Sequence, residues 1–333
     1  SFFFPVFWIV VNNHVENLTD VLEFHLMAIS ENPDLQLFLF GLFLSVYLVT
    51  VLGNLLIILL IICDSHLHTP MYYFLSNLSL IDIFFISTTI PKMIVGLKMH
   101  SRVISYVGCL TQMSLFLFFA CMDDMILTVM AYDRFVAICH PLHYTVMMNP
   151  QVCAVLILLS FSVSVFDSQL HNLIVLQVTC FKDVEIANFF CHPLQLLNLA
   201  CTTKLSSNIV IYFIGVILGI FPVLGIILSY CKIVFSILKI PSSSGKHKAF
   251  STCGSHLSVV CLFYGTGIGV YLGSVVSHSP QKNAVASLMY TVVSPMLNPF
   301  IYTLRNRDIS NALKRFHIIL SQVQRQLKLF KCS

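Results

Sequence analysis

The sequence predicts an all-α protein: a bundle of seven membrane-spanning helices followed by a short amphipathic helix. Of its 333 residues, 57% are hydrophobic and only 10% are charged, whereas a soluble domain usually has about a quarter charged residues. Seven long windows carry few or no charges. They show no alternation of period two, so helices rather than barrel strands must satisfy their backbone hydrogen bonds in lipid.

Each window is long enough to cross a bilayer core of about 30 Å, which takes roughly 20 helical residues. The second contains Asp82 and Lys92, and the third contains Asp123, Asp124 and the pair Asp133–Arg134. The other five are free of charge, and the fourth continues past Asp167. In chain order the windows are 35–63, 70–97, 108–139, 141–166, 205–231, 249–281 and 283–304.

The basic residues predict the orientation. With the N-terminus outside, Arg134, four lysines between 232 and 248 and seven basic residues from Arg305 to Lys331 lie on the cytoplasmic side, as the positive-inside rule requires. Asn17 begins a glycosylation sequon in the outer segment, which agrees. We therefore expect residues 1–34 outside, a membrane domain at 35–304, and a cytoplasmic tail at 305–333 whose amphipathic helix covers 305–320 and faces anionic lipid.

The cysteines and histidines could form disulfides or a metal site. Cys109, Cys180, Cys191 and Cys201 fall on the predicted outer side, where disulfides persist; spacing alone leaves three pairings open. Cys139, His140 and His143 lack a fourth ligand, so no transition-metal site is expected.

Several motifs together resemble a known family. Residues 130–144 (MAYDRFVAICHPLHY), Gly53-Asn54, residues 67–72 (LHTPMY), residues 248–253 (KAFSTC) and residues 295–302 (PMLNPFIY) occur in this order. This set resembles the vertebrate olfactory receptors of the rhodopsin-like G-protein-coupled class, over roughly residues 17–315. The sequence is most similar to family 7 of the tetrapod-type (class II) receptors, and within it to subfamily E.

The resemblance implies roles for individual residues. It pairs Cys109 with Cys191, and Cys180 with Cys201. Arg134 is implied to be held by Asp133 at rest and released toward the G protein on activation. A second switch is implied in the seventh helix; its residues are Asn298, Pro299 and Tyr302.

Two buried carboxylates lie at mid-membrane depth, where an isolated charge costs several kcal/mol. The resemblance places Asp82 opposite Asp123, with Asn54 and Asn298 adjacent. Such a pair either holds a sodium ion or shares a proton, and the sequence leaves both open. No other cofactor is expected. Asp124 receives no role.

The ligand pocket is inferred by position, from the inner faces of the outer halves of helices three, five, six and seven. The set is mainly apolar with a few hydroxyls, which suits small hydrophobic molecules, and it holds no charge, which argues against amines and carboxylates. Its members are Phe116, Leu117, Ala120, Cys121, Ile214, Leu218, Tyr264, Ile268, Tyr271 and Thr291.

These observations predict an odorant receptor that binds small volatile molecules and activates a stimulatory, olfactory-type heterotrimeric G protein, which raises cAMP. Its expected place is the plasma membrane of olfactory sensory cilia. The chain begins without Met, and Phe161 stands where many relatives have Trp, so a poorly expressed or non-functional product is an alternative. A transporter would need a continuous polar path or repeated halves. An enzyme would need a catalytic pair, and catalysis would not require the motifs at the cytoplasmic ends. No catalytic residue is expected.

Overall fold

Eight long helices make up most of the chain in the computed structural model, which describes residues 23–30, 32–178, 180–201, 205–276 and 280–331. Among these residues, six helices are long and apolar enough to cross a membrane, and α6 has a shorter apolar part, Cys253–Ile268. The first seven helices correspond to the seven windows, so the predicted fold class is confirmed. The helices are α1 Pro33–Cys63, α2 Pro70–Met99, α3 Tyr106–Cys139, α4 Pro150–Val175, α5 Leu205–Leu238, α6 Ser243–Val276, α7 Pro280–Arg305 and α8 Arg307–Lys331.

The fourth span begins later than the charge-free window indicates. Residues Pro141–His143 form a 3₁₀ turn and Tyr144–Met147 a one-turn helix, so α4 starts only at Pro150. The Asn149 side chain caps it by accepting a hydrogen bond from the backbone N–H of Val152, and proline is suited to the first helical position because it has no N–H to leave unpaired.

The tail helix α8 is longer than predicted. It runs for 25 residues to Lys331 rather than ending near residue 320. Asn306 begins it by accepting hydrogen bonds from the N–H groups of Asp308 and Ile309. Ile309 and Ala312 are buried against the bundle, which fixes the first turns of α8 to the rest of the chain.

A small sheet adds to the predicted all-α fold. Strand β1 (Glu23–Leu26) lies between β2 (Val103–Ser105), to which it is antiparallel, and β3 (Glu185–Ile186), to which it is parallel. Strands this short carry too little periodicity to be predicted. Disulfides join Cys109 to Cys191 and Cys180 to Cys201, which is the pairing that the resemblance implies. We call this end of the bundle the disulfide end, and the opposite one the Arg134 end.

Helix α3 lies at the centre and packs against α2, α4 and α5. A large core cluster at the Arg134 end includes Leu127, Met130 and Tyr302. The outward faces of α1 and α5 are apolar as well: Leu37 is 74% and Phe221 67% exposed. Because such faces are unfavourable in water, their natural surroundings are lipid chains.

Candidate functional site

Aromatic rings from the loop before α5 pack on α3 beside the residues predicted to line the pocket. Phe190 packs on Phe116 of α3 with 4.9 Å between ring centroids, and His192 lies 6.4 Å from the same ring. The disulfide of Cys191 holds both loop residues in place. Burial, and then the charge of His171, lowers the pKa of His192 to about 4. The sequence prediction missed Phe190 and His192, although each adjoins a predicted disulfide cysteine.

The predicted pocket residues of α3 do face the interior. Phe116 and Cys121 are buried, while Leu117 and Ala120 pack beside Phe116 in one cluster. On α5, Ile214 instead packs with Ile174 and Leu197, and Leu218 is partly buried.

On α6 and α7, fewer of the predicted pocket residues are found with a side chain free to face a ligand. Ile268 of α6 is 55% exposed, so the structure does not bring its side chain to the interior. The side chain of Tyr271 lies outside the part of the chain that the structure describes. Thr291 is buried, but its hydroxyl already donates to the Leu288 carbonyl.

An ionisable residue that the predicted set does not include lies on the same face of α3 as its members. Asp124 is 8% exposed and accepts a hydrogen bond from the Tyr264 hydroxyl of α6. Asp124 follows Leu117, Ala120 and Cys121 at helical spacings of seven, four and three, so all four share one face of α3. Asp124 received no role in the sequence analysis, because its partner lies on another helix.

Polar side chains join α3 to α4 and to the loop. The Ser114 hydroxyl lies 2.8 Å from Asn172 Oδ1, and Ser168 donates to the Ser114 carbonyl. Gln112 accepts from the backbone N–H of Cys191 and donates to the Thr88 carbonyl. These hydrogen bonds connect α3 to α2, to α4 and to the loop before α5.

The predicted polar core forms between α1, α2, α3 and α7. Asn298 donates to Asp82 Oδ2 at 2.9 Å, and Asn54 donates to the Pro295 carbonyl at 3.1 Å. Both carboxylates, Asp82 and Asp123, are buried. Within the described residues, four buried oxygens of this core have no hydrogen-bond partner: Asn54 Oδ1, Asp82 Oδ1, Asp123 Oδ1 and Asn298 Oδ1.

A close contact between α1 and α7 supports this core. A Cβ on Gly53 would lie 3.1 Å from Pro299 Cβ, which is tighter than ordinary van der Waals contact. Gly53 therefore permits the approach that brings Asn54 to the backbone of α7.

At the Arg134 end, Asp133 holds its neighbour as the resemblance implies. Arg134 Nη2 lies 2.6 Å from Asp133 Oδ2, and the Asp133 side chain is fully buried. Tyr144, from the one-turn helix after α3, donates to the other carboxylate oxygen at 2.8 Å. This third group was not predicted. Tyr302, the tyrosine of the α7 motif, is buried.

A histidine ties α6 to two other helices. His256 Nε2 lies 3.1 Å from the Leu127 carbonyl of α3, and His256 Nδ1 lies 2.6 Å from the Tyr230 hydroxyl of α5. A carbonyl oxygen only accepts, so Nε2 carries the proton and Nδ1 accepts from Tyr230.

The tail helix α8 is bonded to the segment between α1 and α2. Tyr72 donates to Asp308 at 2.9 Å, and Arg315 pairs with Asp64 at 2.5 Å. Burial of Asp64 acts to raise its pKa, but the hydrogen bonds from Arg315 and His66 outweigh it, and the pKa is lowered. Both contacts keep α8 beside α1 and α2.

Comparison with known proteins gives a consistent result. A family model described as olfactory receptor matches residues 43–321. The chain is similar to human olfactory receptor 7E24, with 68% identity over 91% of this chain and 89% of that protein. It is also similar to mouse olfactory receptor 7E178 (65% identity, 90% of this chain, 91% of that protein) and to human olfactory receptor 7D4 (59%, 90%, 96%).

Proposed function

The chain belongs to the olfactory receptor family, and from that membership we propose that it binds small, mainly apolar volatile molecules at the pocket beneath Phe190 and activates a stimulatory, olfactory-type G protein at the Arg134 end. The family itself makes it a multi-pass odorant receptor that couples to G proteins and is not an enzyme. The motif-based resemblance, including family 7, is thereby confirmed.

The observation that carries the proposal is the position of α6 between the two ends. Tyr264 bonds to Asp124 beside the pocket, and two turns away His256 bonds to α3 and α5. A ligand that alters the first contact changes the free energy of the second, because both are on one rigid helix.

Signalling then follows as a shift between two arrangements. In the arrangement described here, Asp133 and Tyr144 hold Arg134. Ligand binding favours an arrangement in which the Arg134 end of α6 moves outward and Arg134 leaves Asp133 for the G protein. The basic residues of α5 and α6, from Lys232 to Lys248, attract the acidic surface of such a partner.

We place the disulfide end outside the cell, in the plasma membrane of olfactory cilia, with Asn17 glycosylated. Asn17 lies outside the described residues, and the support is the excess of basic residues at the other end. The basic face of α8 would rest on anionic lipid of the inner leaflet. Glycosidase sensitivity of Asn17, together with a C-terminal epitope detected only after permeabilisation, tests the orientation.

The polar core is proposed to hold a sodium ion. Its four unpartnered oxygens within the described residues are the kind of ligand that hard cations take, while the alternative is a proton shared by Asp82 and Asp123. A bound ion would draw the two carboxylates together and favour the arrangement described here. If so, replacing sodium by choline raises agonist potency, and Asp82→Asn abolishes the difference; equal potency in both media favours the shared proton.

The central test is a panel of volatiles applied to the epitope-tagged receptor in a cAMP reporter line. We expect at least one ligand to raise cAMP in the wild type, and Arg134→Ala to reach the surface yet lose the response. A surface-exposed wild type that catalyses no nucleotide exchange on any G protein would favour the alternative of a non-functional product. Ligand transport without nucleotide exchange would favour the transporter.

A further inference from the structure

The structure puts a hydrogen-bonded acid, Asp124–Tyr264, at the inner end of the predicted pocket, and this pair limits the ligands that fit. Asp124 is almost fully buried, and in the described part of the chain Tyr264 is the one side chain that hydrogen-bonds its carboxylate. A carboxylate accepts up to about four hydrogen bonds, so a single donor leaves most of its capacity unused. Leaving that capacity unused in a buried site is costly.

The polarity of the pair is that of an ionised Asp124, so that the hydrogen of the Tyr264 hydroxyl is the only one the pair has. The Tyr264 hydroxyl donates its hydrogen to Asp124, and an ionised carboxylate has no hydrogen of its own. Toward the pocket the pair therefore presents lone pairs on both partners and no donor. A ligand N–H or O–H group finds acceptors there, whereas an ether or ester oxygen meets only other acceptors.

The other predicted pocket residues offer few polar groups to which a ligand could hydrogen-bond instead of Asp124. Leu117 and Ala120 precede Asp124 on the same face of α3 and pack with Phe116 in an apolar cluster, and the Thr291 hydroxyl is already bonded within its own helix. A ligand reaching the inner end thus has an apolar body, surrounded by these side chains, and one polar tip directed at Asp124.

We infer that the receptor prefers small apolar ligands that carry a hydrogen-bond donor, namely alcohols, phenols and amines, and that Asp124 receives this donor. The inference rests on the proposed function, whose pocket it specifies further.

Matched pairs of compounds test it: primary alcohols and phenols of six to ten carbons, each beside its O-methyl ether, applied to the tagged receptor in the cAMP reporter line. In the wild type we expect O-methylation to lower potency by about tenfold or more, since hydrogen bonds to charged groups are among the stronger ones. Asp124→Asn offers an N–H donor as well as an acceptor, so the two members of each pair should then agree within about threefold. Tyr264→Phe keeps the acid and should keep the discrimination.

Controls separate ligand recognition from folding. Glu185→Gln makes the same acid-to-amide change at an exposed position in β3, and should leave the potency ratio unchanged. Equal potencies of alcohol and ether in the wild type, or an unchanged ratio in Asp124→Asn at normal surface level, would overturn the inference. Activation by volatile hydrocarbons or esters but by no alcohol, phenol or amine would also overturn it and leave the proposed function intact. If the wild type stimulated no nucleotide exchange with any ligand, both the inference and the proposed function would be contradicted.

Discussion

Two polar groups bond to the buried carboxylate of Asp133: the Arg134 guanidinium and the Tyr144 hydroxyl. Tyr144 occupies one oxygen and thereby fixes the rotamer in which the other faces Arg134. The hold on Arg134 is therefore a property of three residues, two from α3 and one from the segment that follows it.

Tyr144→Phe should raise basal cAMP. Losing the hydroxyl removes a hydrogen bond to a charged group, and a change of about 1 kcal/mol shifts the balance between resting and active arrangements about fivefold. The measurement is ligand-free cAMP at matched surface expression. Tyr132→Phe, on the half-exposed face of α3, should have no effect; equal basal cAMP in wild type and Tyr144→Phe would contradict the prediction.

His192 gives the disulfide end a dependence on pH. Because its folded pKa of about 4 lies below the ordinary value of about 6.5, its neutral form stabilises the fold above pH 6.5, and this stability is lost as the pH falls toward 4. At pH 5 the free energy of unfolding is lower by about 2 kcal/mol for this reason. Thermal unfolding in detergent should therefore be earlier at pH 5 than at pH 7.5.

His192→Leu keeps contact with Phe116 and removes the titrating group, so it should lose most of that pH effect. His100→Gln changes an exposed histidine and should retain it. The same acid-induced shift in wild type and His192→Leu would assign the effect to other groups.

Sequence alone could predict that Asp133 adjoins Arg134, from a motif, and that Asp82 and Asn298 are close together, from the resemblance. It could not identify partners set by the packing of distant helices. Tyr264 is 140 residues from Asp124, and nothing local to either residue reports that α6 turns the hydroxyl toward α3. The same holds for His256, whose two contacts lie on other helices.

Among the glycines that the structure describes, Gly53 permits the closest approach between two helices, α1 and α7. Gly53 faces the ring of Pro299, and proline has no flexible side chain with which to yield. The two motifs that contain these residues are thus two sides of one contact, which a linear sequence separates by most of its length.

Gly53→Ala should lower thermal stability and surface level. Alanine is the better helix former by about 1 kcal/mol, but overpacking against Pro299 costs about 1–3 kcal/mol, so the net change is destabilising. Gly41→Ala, on the same helix with no atom within 4 Å of the added Cβ, should be neutral or stabilising. A Gly53→Ala receptor that melts no earlier than Gly41→Ala would show that the contact has room to relax.

Element boundaries were predictable to the extent that charge marks them. The charge-free window for α4 began at Pro141 because the loop there is itself uncharged, and only the Asn149–Pro150 cap shows where the helix starts. The three short strands depend on pairing between distant segments that hydropathy does not report.

Across the whole molecule, α3 connects the two functional ends. Phe116 lies under the loop and Arg134 lies 18 residues further on, about 27 Å along a helix at 1.5 Å per residue. The position of the loop over Phe116 is fixed by Cys191, whose disulfide to Cys109 closes a loop with a sequence separation of 82 residues. The predicted pocket residues of α3 and Arg134 therefore lie on one helix, whose position relative to the loop is set by the disulfide.

Breaking that disulfide should therefore affect the molecule as a whole. Cys109→Ser should abolish surface expression, because a disulfide stabilises by about 2–4 kcal/mol, most where the closed loop is long, and because Phe190 and His192 lose their anchor over the pocket. Cys180→Ser opens a bridge with a separation of only 21 residues and should reduce expression less. Cys231→Ser changes an exposed free cysteine and serves as the control in surface labelling of the epitope tag. Normal surface labelling and a normal odorant response in Cys109→Ser would mean that α3 positions the loop without the covalent bond, and that packing of Phe190 on Phe116 is sufficient.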